Sequence, residues 1–490
     1  MTSLILAAAI GGALVGVPLT GAAMLAAKDS QSVPTVATGV IPSAGLVEKR
    51  PPTTRVEASA SFAPVVRSAA PAVVNVYSRK IVRQEWRSPF ADDPIFGRLF
   101  GGQMGVPRER VENSLGSGVI VRSDGVVVTN NHVVDGADEL RVVLSDRREF
   151  PAKLLLADPR TDLAVLKFDV PEELPTLAFA DTRAAEVGDM VLAIGNPFGV
   201  GQTVTSGIIS ALARTDVGVT DFSFFVQTDA AINPGNSGGA LVDMKGALIG
   251  VNTAIFSRSG GSQGVGFAIP SEMVRRVVEG AVSDGRVIRP WAGIRGQTVD
   301  ADVARGLNLP KPGGVLIAAI EQGGPADRAG LRRGDVVIGL GGAQINDDQT
   351  LRFLAATRRP GEVVDIVWLR NGQQQRGKVK LEAPSETPAR DPKTVAGQNS
   401  FAGVSIITIN PAVADERGLD PFSKGVLVVA VDRAGEAARA GFQPGDLILE
   451  IAGKPISNSE ELIRALPSSG RPGQVTIERQ GKRISANLLL

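Results

Sequence analysis

Two residues in this chain have both the type and the setting for nucleophilic chemistry. Ser237 lies in Asn233-Pro234-Gly235-Asn236-Ser237-Gly238-Gly239. A reacting hydroxyl needs close approach by its substrate, and glycines remove side chains that would stand in the way. A Gly-rich loop can also turn backbone N–H groups toward one point, where an oxyanion would be stabilised. An ordinary β-turn loop would use the same residues. The second residue is His132, the sole histidine, in Thr129-Asn130-Asn131-His132-Val133-Val134. There an apolar run of strand length ends in a short turn, which exposes a side chain at a rim.

Chain order narrows the chemistry. Gly-Asn-Ser-Gly-Gly also fits the G-x-S-x-G pattern of α/β-hydrolases, but in that fold the acid and the histidine follow the serine. No histidine follows Ser237, so that arrangement is closed. A lone histidine is more often structural than catalytic. Placed at a strand end and upstream of a Gly-flanked serine, this one favours function. An acid between the two completes the order His, Asp, Ser that chymotrypsin-like proteases use. The candidates are Asp135, Asp138, Asp146, Asp158, Asp162 and Asp229. Asp162 ranks first because it directly precedes the apolar run Leu163-Ala164-Val165-Leu166, which anchors its backbone to a core. Asp135 and Asp138 sit close to His132 in a polar turn and fit capping or solvation better.

The elements that must position these residues read as β structure. Short apolar stretches at 118–121, 126–129, 140–144, 163–168, 191–194 and 247–253 are separated by turn signals such as Ser123-Asp124-Gly125 and Asp135-Gly136. That pattern indicates a barrel or sandwich. Residues 85–112 carry Phe, Gly, Pro and Asp in no period and are expected to form a long mobile loop. Residues 271–282 show helical apolar spacing, with Ser271 expected as the cap and Gly285 after the end. In the C-terminal half, residues 314–345 align without gaps on residues 425–456, with 13 of 32 positions identical. The shared positions include Gly330/Gly441, Gly334/Gly445 and Asp335/Asp446. Two copies are too few for a solenoid. They read as two small modules separated by a Pro/Glu/Ser/Thr-rich linker at 382–400, which is expected to leave the second module free to swing.

Composition excludes several classes. Lys plus Arg is 52 against 51 for Asp plus Glu, so there is no electrostatic footprint for nucleic acid. The chain has no cysteine and one histidine, which removes disulfide frameworks, thiolate zinc sites, Cys nucleophiles and multi-histidine metal sites. No metal or cofactor is expected. Residues 4–27 are uncharged and apolar, long enough to span a bilayer. They are expected to be an export signal or an uncleaved inner-membrane anchor, although the positive segment that usually precedes such a run is missing. Residues 28–60 then read as a tether.

The chain resembles the HtrA (Do-type) serine proteases. The resemblance is carried by Gly116-Ser117-Gly118, residues 129–137, residues 158–166, Gly195-Asn196-Pro197-Phe198-Gly199, residues 227–239, residues 250–253 and residues 264–270, followed by the repeats. It implies a mainly β fold, with a chymotrypsin-like double β-barrel at 61–283 followed by PDZ modules at 291–383 and 400–490 and a linker at 384–399. By the same resemblance His132 is the general base, Asp162 orients its ring, and Ser237 attacks the peptide carbonyl. The N–H groups of Gly235 and Ser237 would form the oxyanion hole. Ala231, Asn233, Asn236, Thr253, Ala254 and Ile255 would bind substrate. Ala231 stands six residues before Ser237, where proteases that cut after Lys or Arg carry an acid, so small aliphatic P1 residues are expected. Residues 85–112 resemble the family's regulatory loop. Members assemble as trimers or multiples of trimers through an edge matching residues 62–77.

The repeats resemble PDZ modules, which add a peptide to their sheet as an extra strand and receive its terminal carboxylate on backbone amides. The matching loops are Trp291-Ala292-Gly293-Ile294 and Phe401-Ala402-Gly403-Val404, both departing from the commoner Gly-Leu-Gly-Phe. Two functional readings follow. The first is a periplasmic, ATP-independent endoprotease that degrades misfolded or unfolded envelope proteins. The second is a chaperone or scaffold whose peptide capture is the main activity. A complete His132/Asp162/Ser237 set favours the first, since a pure binder has no need of it.

Overall fold

The computed structural model describes residues 61–84, 108–196, 201–215, 222, 224–233, 235–255, 262–466 and 471–490, with backbone alone at 82–84, 108–112 and 254–255. The apolar N-terminal run, its tether, most of the 85–112 loop and Pro197-Phe198-Gly199 lie outside them. No helix among the described residues is long and apolar enough to cross a membrane.

Thirteen strands build the first block. They are β1 (Val73–Gln84), β2 (Arg108–Arg122), β3 (Val126–Asn130), β4 (Glu139–Val143), β5 (Glu149–Pro151), β6 (Lys153–Asp158), β7 (Leu163–Lys167), β8 (Met190–Gly195), β9 (Thr203–Arg214), β10 (Phe225–Thr228), β11 (Ala240–Asp243), β12 (Leu248–Ile255) and β13 (Gly266–Pro270). The first seven form one sheet in the order β5-β4-β1-β2-β3-β7-β6, and the others close a barrel in the order β10-β13-β12-β11-β8-β9. Strands β3 and β7 are apolar almost throughout because both faces are covered: Val126, Val127, Val128, Leu163, Val165 and Leu166 are all buried. The expected loop at 85–112 is shorter than its composition suggests. Its last residues, Arg108 to Glu112, belong to β2 and pair with Gln84 to Lys80, so the polar run is a sheet extension there.

Helix Ser271–Ser283 buries Met273, Val274, Val277 and Val278 against the barrel. The expected cap is not made. The helix starts at Ser271 itself, with Pro270 before it, and the Ser271 hydroxyl instead donates to the Ala180 carbonyl at 2.7 Å. The seryl oxygen is inside the first turn and facing a loop that needs a donor.

The repeat yields two similar modules. The first has β14 (Ile294–Thr298), β15 (Val315–Ile320), β16 (Val336–Leu340), β17 (Ala343–Gln344), β18 (Val363–Arg370) and β19 (Gln373–Lys380). The second has β20 (Lys393–Thr394), β21 (Val404–Thr408), β22 (Val426–Val431), β23 (Leu447–Ile451), β24 (Lys454–Pro455), β25 (Pro472–Arg479) and β26 (Lys482–Leu489). The identical Gly-Asp positions have one physical cause in both copies. Gly334 and Gly445 take φ of 92° and 96°, which favours glycine. The buried Asp335 then pairs with Arg370 at 2.8 Å, and Asp446 with Arg479 at 2.6 Å, each arginine also reaching a repeat glycine carbonyl, Gly330 or Gly441. Removing one partner of such a pair strands the other. Asp446→Ala is expected to cost about 3 kcal/mol, read as roughly 100-fold faster amide exchange in β23 and β25. Unchanged exchange there would contradict this account of the motif.

The stretch expected to be a free linker is packed. Lys393–Thr394 pairs with β21, Val395 is buried in the core of the second module, and Arg390 bridges Glu386 and Glu416. The buried Val395, the short strand and the Arg390 ion pairs thus hold the linker on the second module.

Candidate active site

Antiparallel pairing places His132 beside Asp162. In the β3–β7 ladder Asn130 is opposite Leu163, so the residues just after β3 and just before β7 meet at one rim. His132 lies in the short helix Asn131–Val134 that follows β3. Asp162 ends the turn before β7 with φ of 56°, a left-handed conformation that aspartate tolerates better than most residues. The turn is fixed by two bonds to the Asp162 carbonyl, from Asn131 N at 3.0 Å and Asn130 Nδ2 at 2.9 Å.

The Asp162 carboxylate is buried and saturated with donors. Oδ1 accepts from the His132 backbone N–H at 3.0 Å. The His132 ring nitrogen Nδ1 lies 2.8 Å from Oδ2, and the Thr253 hydroxyl donates to Oδ2 at 2.5 Å. An ionised carboxylate only accepts, so Nδ1 carries the proton and Nε2 is left as a free base. About half of the His132 side chain is open to solvent, at 51%. The other candidate acids are occupied elsewhere. Asp158 is buried in an ion pair with Arg289 and accepts from Thr161 Oγ1 at 2.5 Å. Asp138 accepts from Ile81 N, Asp146 from Arg148, and Asp229 from Ile208 N. Asp135 is exposed.

Ser237 stands on the same scaffold from the barrel side. Its hydroxyl donates to the Thr253 carbonyl at 3.3 Å, and no hydrogen bond joins it to His132. Thr253 therefore touches both halves of the constellation: its side chain holds the acid and its carbonyl receives the serine. The loop is held by Ser117, whose Oγ donates to the Gly235 carbonyl at 2.6 Å and accepts from Asn196 N at 2.8 Å. Ser117 N also donates to the Ser237 carbonyl at 2.8 Å. Among the described residues, neither the Gly235 N–H nor the Ser237 N–H has an acceptor, and Gly235 takes φ of 98°.

The glycines after the serine have a different cause from the one expected. A Cβ at Gly238 would lie 2.1 Å from the Ser117 carbonyl, and one at Gly239 would lie 2.3 Å from the Ile194 carbonyl. They admit the protein's own backbone rather than the substrate. Asn236 also differs from expectation. It is 1% exposed and lies under the loop against Gly195, where a Cβ would come 2.4 Å from its Oδ1. Its side chain supports the loop and cannot line a cleft. Ala231 is half-buried, its carbonyl accepting from Thr205 Oγ1 at 2.8 Å, and Asn233 is exposed, accepting from Ser262 N at 3.2 Å. Ala254 and Ile255 pair with Phe267 and Gly266, and their side chains lie outside the described residues. Ser117 and Asn130 were not identifiable as site residues from sequence. The one signal was Ser117's place between two glycines.

The two PDZ-like loops share one geometry. Gly293 and Gly403 have φ of 73° and 89°. The carbonyls of Ala292 and Ala402 accept from Ala326 N and Ala437 N, and those of Gly293 and Gly403 from Glu321 N and Asp432 N. Ile294 and Val404 open the strands that follow. The first residues part company: Phe401 is buried against Phe442 at 4.7 Å, whereas Trp291 meets Phe422 of the second module at 5.8 Å. No group of three or more potential metal ligands occurs among the described residues.

His and Asp at the rim of a seven-stranded sheet, Ser on the barrel beside it, and two PDZ-like modules after them are the design of a trypsin-like serine protease with PDZ domains. The family model for a trypsin-like peptidase domain matches residues 116–251, and that for a PDZ domain matches residues 292–381 and 403–490. Over 97% of its length the chain is 36% identical to a probable periplasmic serine endoprotease, DegP-like, of Chlamydia pneumoniae, covering 96% of that protein. It is 38% identical over 83% of its length to a probable periplasmic serine protease, do/HhoA-like, of Haemophilus influenzae, covering 87% of it. Among solved structures it is similar to an HtrA-type protease, AlgW, with a decapeptide: 44% identity, TM-score 0.50, 66% of this chain and 99% of that one. The chain belongs to the DegP-like (HtrA) family of serine endoproteases. It is a serine endopeptidase acting on protein substrates.

Proposed function

We propose that Ser237, His132 and Asp162 hydrolyse peptide bonds through an acyl-enzyme. Ser237 Oγ attacks the carbonyl carbon while His132 Nε2 takes the hydroxyl proton. The same nitrogen returns that proton to the departing amine, and a water, deprotonated in turn by His132, releases the acyl group and restores the serine. Asp162 keeps the ring in the tautomer that leaves Nε2 basic. The free N–H groups of Gly235 and Ser237 receive the oxyanion. The observation that carries this reading is the Asp162 carboxylate, held by His132 and Thr253, with Ser237 on the carbonyl of that same threonine. The absent Ser237–His132 bond fits a resting enzyme whose contacts tighten around substrate.

The domain limits proposed are 61–283 for the protease, 291–383 and 400–490 for the PDZ modules. The relatives named as periplasmic support action in the periplasm. Misfolded or unfolded envelope proteins as substrates, and a chaperone-like holding activity through the modules, are the finer part of this proposal. Export or anchoring through residues 4–27 and trimeric assembly through residues 62–77 belong to the same proposal.

The pocket for the P1 side chain has Ala231 where an acid would be needed, with Ile255 as its other proposed wall. A desolvated Lys or Arg left unpaired costs several kcal/mol. Digestion of unfolded casein is therefore expected to cut mostly after Val, Ala or Ile, with the Ser237→Ala variant leaving the substrate whole. Mass spectrometry of the products reads this directly, and a majority of cuts after Lys or Arg would contradict it.

A further inference from the structure

The second PDZ module reaches the first module's peptide groove. In the PDZ-type reading above, on which this inference rests, a peptide lies between β14 and helix Asp348–Ala356. Among the described residues strand β14 pairs only with β15, so its outer edge is available for an added strand. Between them is a cavity of about 200 Å³, with Ala292, Ile294, Leu351 and Ala355 on the first module's side. Its opposite wall is Asp415, Gly418, Leu419 and Pro421, from the end of helix Pro411–Glu416 and the loop after it.

Charge matches at two places, one across this contact and one onto the turn before β7. Asp420 pairs with Arg295, a β14 residue, at 3.1 Å. Phe422 packs on Trp291 and under the Arg295 guanidinium. Asp415 receives Arg160 on both its carbonyl and its carboxylate, the latter at 2.8 Å, in a pair only about one-fifth exposed. Arg160 lies two residues before Asp162, and its ring partner Phe222 is also covered by Arg289, the buried partner of Asp158. The segment thus faces the groove and grips the turn that carries the catalytic acid.

We propose that residues 415–422 are a built-in occupant of the first module's groove mouth. A peptide C-terminus and this segment exclude each other, and a peptide that displaces it frees Arg160 from Asp415 beside the Asp162 turn. Against the first module and the turn before β7 the segment is held by two ion pairs and by Phe422 packed on Trp291 and Arg295, not by a strand ladder, so an incoming peptide that pairs with β14 can outcompete it.

The test uses the full chain with Ser237→Ala, so that the probe is not cleaved. A fluorescein-labelled decapeptide with an apolar C-terminal residue is titrated by anisotropy, alongside the same peptide as its C-terminal amide. If the segment is seated about nine-tenths of the time, Asp415→Ala/Asp420→Ala tightens Kd about tenfold. The charge exchange Arg295→Asp/Asp420→Arg returns Kd toward the starting value relative to Asp420→Arg alone, and circular dichroism melts establish that the variants fold. Equal Kd values for the starting chain and Asp415→Ala/Asp420→Ala, with binding measurable in both, overturn the occupant proposal alone. Absence of peptide binding in every variant, or equal binding of acid and amide, overturns the peptide-groove reading itself and the proposal with it.

Discussion

Ser237→Ala and His132→Ala are each expected to lower kcat on casein by about five or more orders of magnitude, because nucleophile and base act as a unit. The second loss is the more informative. This chain has one histidine, so no other imidazole can substitute for it. The His132 ring is about half exposed and makes its hydrogen bond to Asp162 alone, so truncation removes little packing. Both variants should keep the wild-type circular dichroism spectrum and gel-filtration profile. A His132→Ala chain that still digests casein at a near-normal rate would remove the base from the mechanism.

Asp162→Asn is expected to lower kcat by about four orders of magnitude. Both carboxylate oxygens are needed as acceptors, Oδ1 for the His132 backbone N–H and Oδ2 for the Thr253 hydroxyl, with Nδ1–H between them. An amide replaces one acceptor with an NH2 group. At the Oδ2 position that group faces Nδ1 as well as Thr253: the hydroxyl can rotate to accept, but donation to Nδ1 forces the proton onto Nε2 and leaves no base facing Ser237. At the Oδ1 position it would oppose the His132 backbone N–H, which cannot accept. Steady-state kinetics of wild type and variant on casein read the loss. A loss of tenfold or less would mean that Asp162 serves the turn and not the ring.

How much of this was legible in the sequence depends on whether a residue acts through its neighbours in the chain or across it. His132, Asp162 and Ser237 stand out in the sequence because each borders an apolar run or a glycine cluster, and their order separates one hydrolase arrangement from another. The family resemblance puts Thr253 among the substrate contacts, yet its side chain faces Asp162; nothing local to Asn252-Thr253-Ala254 reveals a partner in a different sheet. Asn236 was misplaced for the converse reason. A polar residue beside a nucleophile looks like a ligand for substrate, but the close approach of Gly195 draws it beneath the loop. The linker at 384–399 has the composition of a tether, and composition does not report that Val395 finds a hydrophobic core to enter. The repeat was legible because its glycines and aspartates answer to backbone geometry and to one arginine each, conditions that recur in both copies.

Covalent labelling reads directly whether His132 activates Ser237. A serine-directed phosphonate is added under conditions in which the chain digests casein, and the modified peptide is located by mass spectrometry. The expected result is one adduct, on Ser237, formed in step with loss of proteolysis, and no adduct above background in His132→Ala. Labelling of a different serine as activity disappears, or labelling of Ser237 at the same rate without His132, would contradict that activation.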